Sequence, residues 1–256
     1  MRRVHLFELE DQSWLPGPIR DASTDFLRFM LEAGDAYGPI VPKLKDALMK
    51  TGGEEILDLC SGGAGPVIDI QKKLAKAGCT VRITLTDKYP NHAAFKHARK
   101  CSGGVDFIED SVDATAVPAH LSGFRTLFNS FHHFRPEMAQ RILQDAVDQR
   151  RPIGVFDFSA RRLPPQAVML LGNPLAILAL TPFIRPFRWG RLFWTYIVPI
   201  APLCLMWDGF ASGFRLYSTQ ELQGLADGLR SDDYAWEIGR AGAFTGSITY
   251  LIGYPK

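Results

Sequence analysis

Apolar and polar positions along this chain follow two rhythms. Over 18–31, Ile19, Phe26, Phe29 and Met30 fall roughly on one helical face, and over 40–49 Ile40, Leu44, Ala47 and Leu48 recur at i, i+4, i+7 and i+8. Gly34, Gly38-Pro39 and Gly52-Gly53 break these patterns, so they predict two helices ahead of the first strand. Residues 1–17 read as an irregular lead-in with three large apolar groups, Leu6, Phe7 and Trp14. From residue 55 the rhythm switches repeatedly between strand and helix. Short apolar strands are expected at 56–59, 81–85, 105–108, 126–131 and 153–158, with helices between them at 66–77, 91–101 and 136–149. A capped helix led by Ser218 or Thr219 and two more strands, around 236–238 and 247–254, complete the chain. Crossovers of this length imply parallel strands covered by helices on both faces, a three-layer α/β sandwich. The expected division is one domain over 1–256: a helical cap in 1–52, a ligand-binding half in 53–160, an apolar insertion in 161–217, and the closing helix and strands in 218–256.

In such sheets ligands bind beyond the carboxyl ends of the strands. The first strand there delivers Asp58 and the small-residue turn Cys60-Ser61-Gly62-Gly63-Ala64-Gly65, which lets backbone approach a ligand closely. The second delivers Asp87, an acceptor-only group matched to a ribose diol. The turn does not fit the G-x-G-x-x-G/A fingerprint in either frame, and no Gly-Lys-Ser/Thr follows it, which sets aside a pyrophosphate-holding loop. A nucleoside carrying a cationic group fits better.

Bulk properties narrow the field a little further. A formal net charge of +2 over 256 residues gives no basic stripe for nucleic acid. Four scattered cysteines have neither metal-ligand nor C-x-x-C spacing, so reduced thiols and no metal are expected. Glu8, Glu10 and Asp11 interrupt the N-terminus where a signal peptide needs an apolar core, so a cytoplasmic protein is expected.

The run Ile56-Leu57-Asp58-Leu59-Cys60-Ser61-Gly62-Gly63-Ala64-Gly65 resembles the first motif of the class I S-adenosylmethionine (SAM)-dependent methyltransferases. Cys60 and Ala64 stand where that motif has its first and third glycines. Asp87 is similar to the family's ribose-binding acid, and Asp113-Ala114-Thr115-Ala116-Val117-Pro118 to its third motif. Leu127-Phe128-Asn129-Ser130-Phe131-His132-His133-Phe134 is similar to the fourth motif. The resemblance implies a seven-stranded, mostly parallel sheet of order 3-2-1-4-5-7-6 with an antiparallel strand, and S-adenosylhomocysteine (SAH) as product. It implies that Asp58, Cys60, Ser61 and Gly62 hold the methionine part of SAM and that Asp87 with Lys88 holds the ribose. Asp113 with Ala114 would read the adenine edge, Asp110 competing for that role, and Asn129 and Ser130 would line the cofactor. His132 or His133 is the candidate base, and Trp14, Phe131, Arg215 and Tyr217 are the candidate substrate contacts. The expected activity is methyl transfer to a small lipophilic acceptor. A catalytically silent SAM-binding interaction module and an NAD-type oxidoreductase are the alternatives.

The insertion carries two uncharged runs, 167–183 and 192–207, around Arg185, Arg188, Trp189 and Arg191. Both are short of the roughly 20 apolar residues a spanning helix needs. A lid or substrate wall is the first choice for it. A homodimer interface and peripheral contact with the inner membrane are the others.

Overall fold

The computed structural model describes residues 2–159, 174–230, 232–242 and 247–256. The sheet is built from β1 (Glu55–Asp58), β2 (Arg82–Leu85), β3 (Val105–Phe107), β4 (Phe124–Phe128), β5 (Ile153–Phe158), β6 (Tyr234–Ala241) and β7 (Ile248–Pro255). Their order is β3-β2-β1-β4-β5-β7-β6, the order expected from the sequence resemblance. The first five strands are parallel, and β7 runs antiparallel to both β5 and β6.

Alternation along the strands sorts side chains into two cores, because successive strand residues face opposite sides. Ile56, Phe156, Tyr250 and Ile252 face helices α2 (Val41–Thr51), α3 (Val67–Lys76) and α4 (His92–Cys101). Leu57, Val155 and Leu251 face α5 (Pro136–Asp148) and α9 (Thr219–Asp227). These are the two helical layers of the sandwich. α9 carries a full capping box, with Ser218 and Glu221 exchanging hydrogen bonds between side chain and backbone.

A second helical unit sits over one end of the sheet. α1 (Gly17–Ala33) packs Phe26 against Ile177 and Ile184 from the insertion and against Leu205 of α8 (Ile200–Arg215), and Ile19 against Cys204. The apolar segments α6 (Pro174–Phe183) and α7 (Trp189–Ile197) precede α8. The run 209–213 belongs to α8, whose residues Asp208, Ala211 and Arg215 are buried. Residues 167–173 of the first apolar run lie outside the described residues.

Candidate active site

A cavity of about 570 Å³ opens at the carboxyl ends of β1, β2 and β4, within the size range of small-ligand sites. Its floor is the turn after β1. Cys60 (φ 57°) and Ala64 (φ 75°) take the left-handed conformation that favours glycine, as do Gly62 (φ 51°) and Gly65 (φ 40°). The two departures from the glycine pattern therefore keep the glycine backbone. A Cβ on Gly63 would stand 2.5 Å from the Thr24 carbonyl oxygen, so the missing side chain is what lets α1 lie against the turn.

Asp58 holds this turn from below. Its Oδ2 accepts from Ser61 Oγ (2.6 Å) and its Oδ1 from Thr126 Oγ1 (2.7 Å). Burial pushes its carboxyl up to about 7, against the pull of those two hydrogen bonds. Asp58 is not on the cavity wall, so the expected direct hold on a ligand gives way to shaping the turn.

Asp87 lies on the wall, with Gly62 N–H donating to Oδ2 and Tyr89 N–H to Oδ1, both at 2.7 Å. Burial raises its carboxyl, and the two backbone donors oppose that shift. A carboxylate has about four acceptor positions, so room for a diol remains. Cys60, Ser61, Gly62 and Lys88 are on the same wall. Asn129 (φ 50°) and Ser130 reach it because β4 stops at Phe128, three residues short of the expected end. The buried Ser130 Oγ has no hydrogen-bond partner among the described residues. Asp113 and Ala114 depart from expectation. Asp113 Oδ1 accepts from Thr115 N–H (2.9 Å) and Oγ1 (2.7 Å), its Oδ2 pairs with Lys88 (3.0 Å), and Ala114 is packed in the core. Neither they nor the exposed Asp110 line the cavity.

The opposite wall comes from the N-terminal lead-in and α1: His5, Phe7, Glu10 and Asp11, then Arg20, Asp21 and Thr24. The lead-in is a strap fastened by a cluster of ions. Arg215, fully buried, pairs through Nη1 with Glu8 (3.0 Å) and Asp11 (2.7 Å). The same guanidinium donates from Nη2 to the His133 carbonyl (2.6 Å) and from Nε to that of His132 (3.2 Å). His133 Nδ1 lies 2.7 Å from Asp11 and 3.2 Å from Glu8. Burial alone would lower the His133 pKa. The Glu8 charge and the Asp11 hydrogen bond outweigh it and raise the pKa to about 10, so the ring is an imidazolium at neutral pH.

That charge state removes His133, which does line the cavity, from the role of base. His132 is buried against Asp157 (3.2 Å) and does not reach the cavity. The four expected substrate contacts also leave the wall. Arg215 serves the ion cluster, Phe131 is in the core, Tyr217 donates its hydroxyl to the Phe134 carbonyl (2.8 Å), and Trp14 is exposed. None of the described insertion residues lines the cavity. The strap and α1 form its outer wall.

Pattern reading missed Glu10, whose carboxylate joins none of these hydrogen bonds or ion pairs among the described residues. Burial pushes it up to about 8; His133 opposes that shift, while Asp208, Glu8 and Asp11 add to it. Three acids within four positions, at 8, 10 and 11, were the sequence signal. Glu8, His132 and His133 bring potential metal-ligand atoms within 4.8 Å of one another. Arg215 already occupies Glu8, and its guanidinium puts a positive charge where a cation would have to sit.

No protein-family model matches this chain, and no curated protein sequence matches it. Its likeness is three-dimensional. NcsB1, an O-methyltransferase from neocarzinostatin biosynthesis solved with SAM and 2-hydroxy-5-methyl naphthoic acid, superposes with a TM-score of 0.53 at 17% identity. That match covers 94% of this chain and 59% of NcsB1. PigF, solved with SAH, gives 0.52 at 13% identity, covering 96% of this chain and 63% of PigF. The methyltransferase domain of bacterial CtHen1 gives 0.50 at 11% identity, covering 86% of this chain and 100% of that domain. The chain thus spans about six-tenths of the length of NcsB1 and PigF and matches a lone catalytic domain end to end. Its sheet order and this likeness give it the class I methyltransferase fold.

Proposed function

We propose that this protein transfers a methyl group from SAM to a small lipophilic acceptor. The observation that carries the proposal is one cavity, on this fold, that gathers the turn 60–65, Asp87 and the unpaired Ser130 hydroxyl at the strand ends. These residues fit SAM. Asp87 has acceptor positions left for the ribose hydroxyls, the turn lets backbone approach the methionine part, and Ser130 Oγ and Asn129 offer polar atoms beside it. When bound, SAM supplies an electrophilic methyl, so the protein's work is alignment and proton removal. The aromatic ligand in the NcsB1 structure supports an acceptor of that size.

Glu10 is the proton acceptor in this proposal. It lies on the cavity wall opposite the strand ends, and a carboxyl near 8 is well matched to deprotonating a hydroxyl or amine near neutral pH. Its charged surroundings are Glu8, Asp11, Asp208 and His133. The rate should rise with pH through about 8 as Glu10 ionises, and fall toward about 10 as His133 loses the charge that holds Asp11 and the strap. Glu10→Gln should cut turnover roughly 10²- to 10⁴-fold and erase the acid limb, with SAH binding intact. An unchanged pH profile in that variant would remove Glu10 from the chemistry.

Thermal shift with SAH against NAD tests the cofactor, since a ligand selective for the native state raises its melting temperature. A shift with NAD alone would favour the oxidoreductase reading and sink this one. Transfer of labelled methyl from SAM into a lipid or metabolite extract identifies the acceptor. Its absence, with the SAH shift intact, would favour the silent binding module.

A further inference from the structure

The insertion leaves an apolar face that the fold does not use. Of the seventeen large apolar side chains exposed among the described residues, ten lie within 175–203. Leu175 and Ile197 are each 71% exposed, Trp189 77%, Phe183 64% and Leu203 56%. A monomer seldom keeps so many together in water without a partner. No single helix here is long and apolar enough to cross a membrane, and α7 and α8 meet at a bend of 80°. The far end of α8 is anchored in the protein through Asp208, which accepts the Leu9 N–H (2.7 Å), and through Arg215. The exposed residues are therefore the near ends of the helices and the turns between them.

Charge separates the candidate partners. No Asp or Glu occurs between Asp157 and Asp208, a stretch that holds five arginines. Arg188 and Arg191 turn inward to Asp21 and Asp25, whereas Arg185 is exposed beside Phe183 and Phe187. An acid-free apolar face with arginine at its rim and Trp and Tyr among its exposed groups complements an anionic bilayer. A two-fold contact between copies would set that face against itself, with no acid to meet the arginine.

The face also continues to the cavity. Leu203 and Trp207 share one side of α8 at i, i+4. The Trp207 ring lies 5.1 Å from that of Phe7, and Phe7 lines the cavity. We propose that α6, α7 and the start of α8 dock on an anionic lipid bilayer, and that the track Leu203–Trp207–Phe7 admits an acceptor dissolved in that bilayer. The second clause rests on the methyltransferase reading; the docking itself does not.

Flotation of the full chain with phosphatidylglycerol–phosphatidylcholine vesicles tests this, with pure phosphatidylcholine as control. Wild type should float with the anionic vesicles and lose part of that recovery at high salt, a severalfold weakening. The variant Trp189→Ser/Ile197→Ser/Leu203→Ser should bind roughly 100-fold more weakly or worse, from the loss of three buried apolar side chains. Its SAH thermal shift should match wild type, which shows the fold intact and keeps the cofactor question separate. Arg185→Glu should weaken binding severalfold at low salt. A wild-type protein that shifts with SAH but stays at the bottom of every gradient overturns the docking. So does a soluble dimer that the triple variant splits, together with absent flotation. Flotation without any SAH shift would keep the docking and refute the methyltransferase instead.

Discussion

At one end of the cavity Asp87 grips Gly62 across 25 residues, inside one β–α–β unit; at the other, Asp11 is gripped by Arg215 across 204. The first wall is a product of local chain direction. A strand must end, a turn must reverse, and the backbone donors that become free there are met by the acid of the next strand. The second wall has no secondary structure of its own before α1. It stays in place because two carboxylates, an imidazolium and a guanidinium neutralise one another where water is scarce. The strand-end wall is therefore fixed by local backbone geometry, whereas the strap depends on long-range contacts, with the ion cluster and the Asp208 carboxylate among them.

The largest expected effect tests that contrast directly. Arg215→Met keeps the volume and removes one of the two cations, leaving Glu8 buried with His133 and the Ser212 hydroxyl (3.1 Å) as partners. Loss of one member of a buried pair costs about 3–5 kcal/mol. Urea denaturation should show that loss, and limited proteolysis should cut the strap first. A loss below about 1 kcal/mol would mean the strap is held by something else. The strand-end wall answers to a different change. Asp87→Ala should weaken SAH binding roughly 10- to 100-fold, the value of hydrogen bonds to a charged group. SAH affinity equal to wild type would take Asp87 out of the site.

The same contrast explains what was legible in the sequence. The strand and helix succession, the turn 60–65 and the Ser218 cap rest on periodicity, small-residue spacing and side chains meeting nearby backbone, which leave local marks; the strand order came from the family resemblance those marks carry. The apolar pattern predicts a β4 that ends at Phe131. Its apolar run continues past Phe128, and only the positive φ at Asn129 turns it off the sheet. The strap left no periodic mark. Glu8 looks like an exposed-type charge until Arg215 is beside it, and Arg215 is expected as a substrate contact, with nothing local to mark its acid partners. His132 or His133 is the expected base because a histidine has the right intrinsic pKa, but for His133 two carboxylates from the other end of the chain reset it. The insertion's apolarity is legible, yet the direction in which that apolar surface points is not, because no local pattern records it.

A smaller change should couple the two walls. Gly63→Ala puts a methyl group against the Thr24 carbonyl and forces α1 away from the turn, at a cost of about 1–3 kcal/mol. Because α1 and the turn both line the cavity, stability and SAH affinity should fall together. A fall in stability alone would mean that α1 can give way without disturbing the turn.

The smallest expected effect supplies the baseline for the rest. Ser218 Oγ accepts the Glu221 N–H at 3.2 Å, and the Glu221 carboxylate accepts the Ser218 N–H at 2.8 Å. Ser218→Ala removes one half of this box and should cost about 1 kcal/mol, the usual value of an N-cap. α9 packs on the sheet face opposite α2–α4, and neither it nor Ser218 lines the cavity. Unfolding should therefore shift while SAH affinity and proteolysis of the strap stay at wild-type values. If this variant also loosens the strap, the cavity walls respond to any loss of global stability, and the Arg215 result no longer reports on the ion cluster. If it does not, a strap released by Arg215→Met is a local event that reports on the ion cluster.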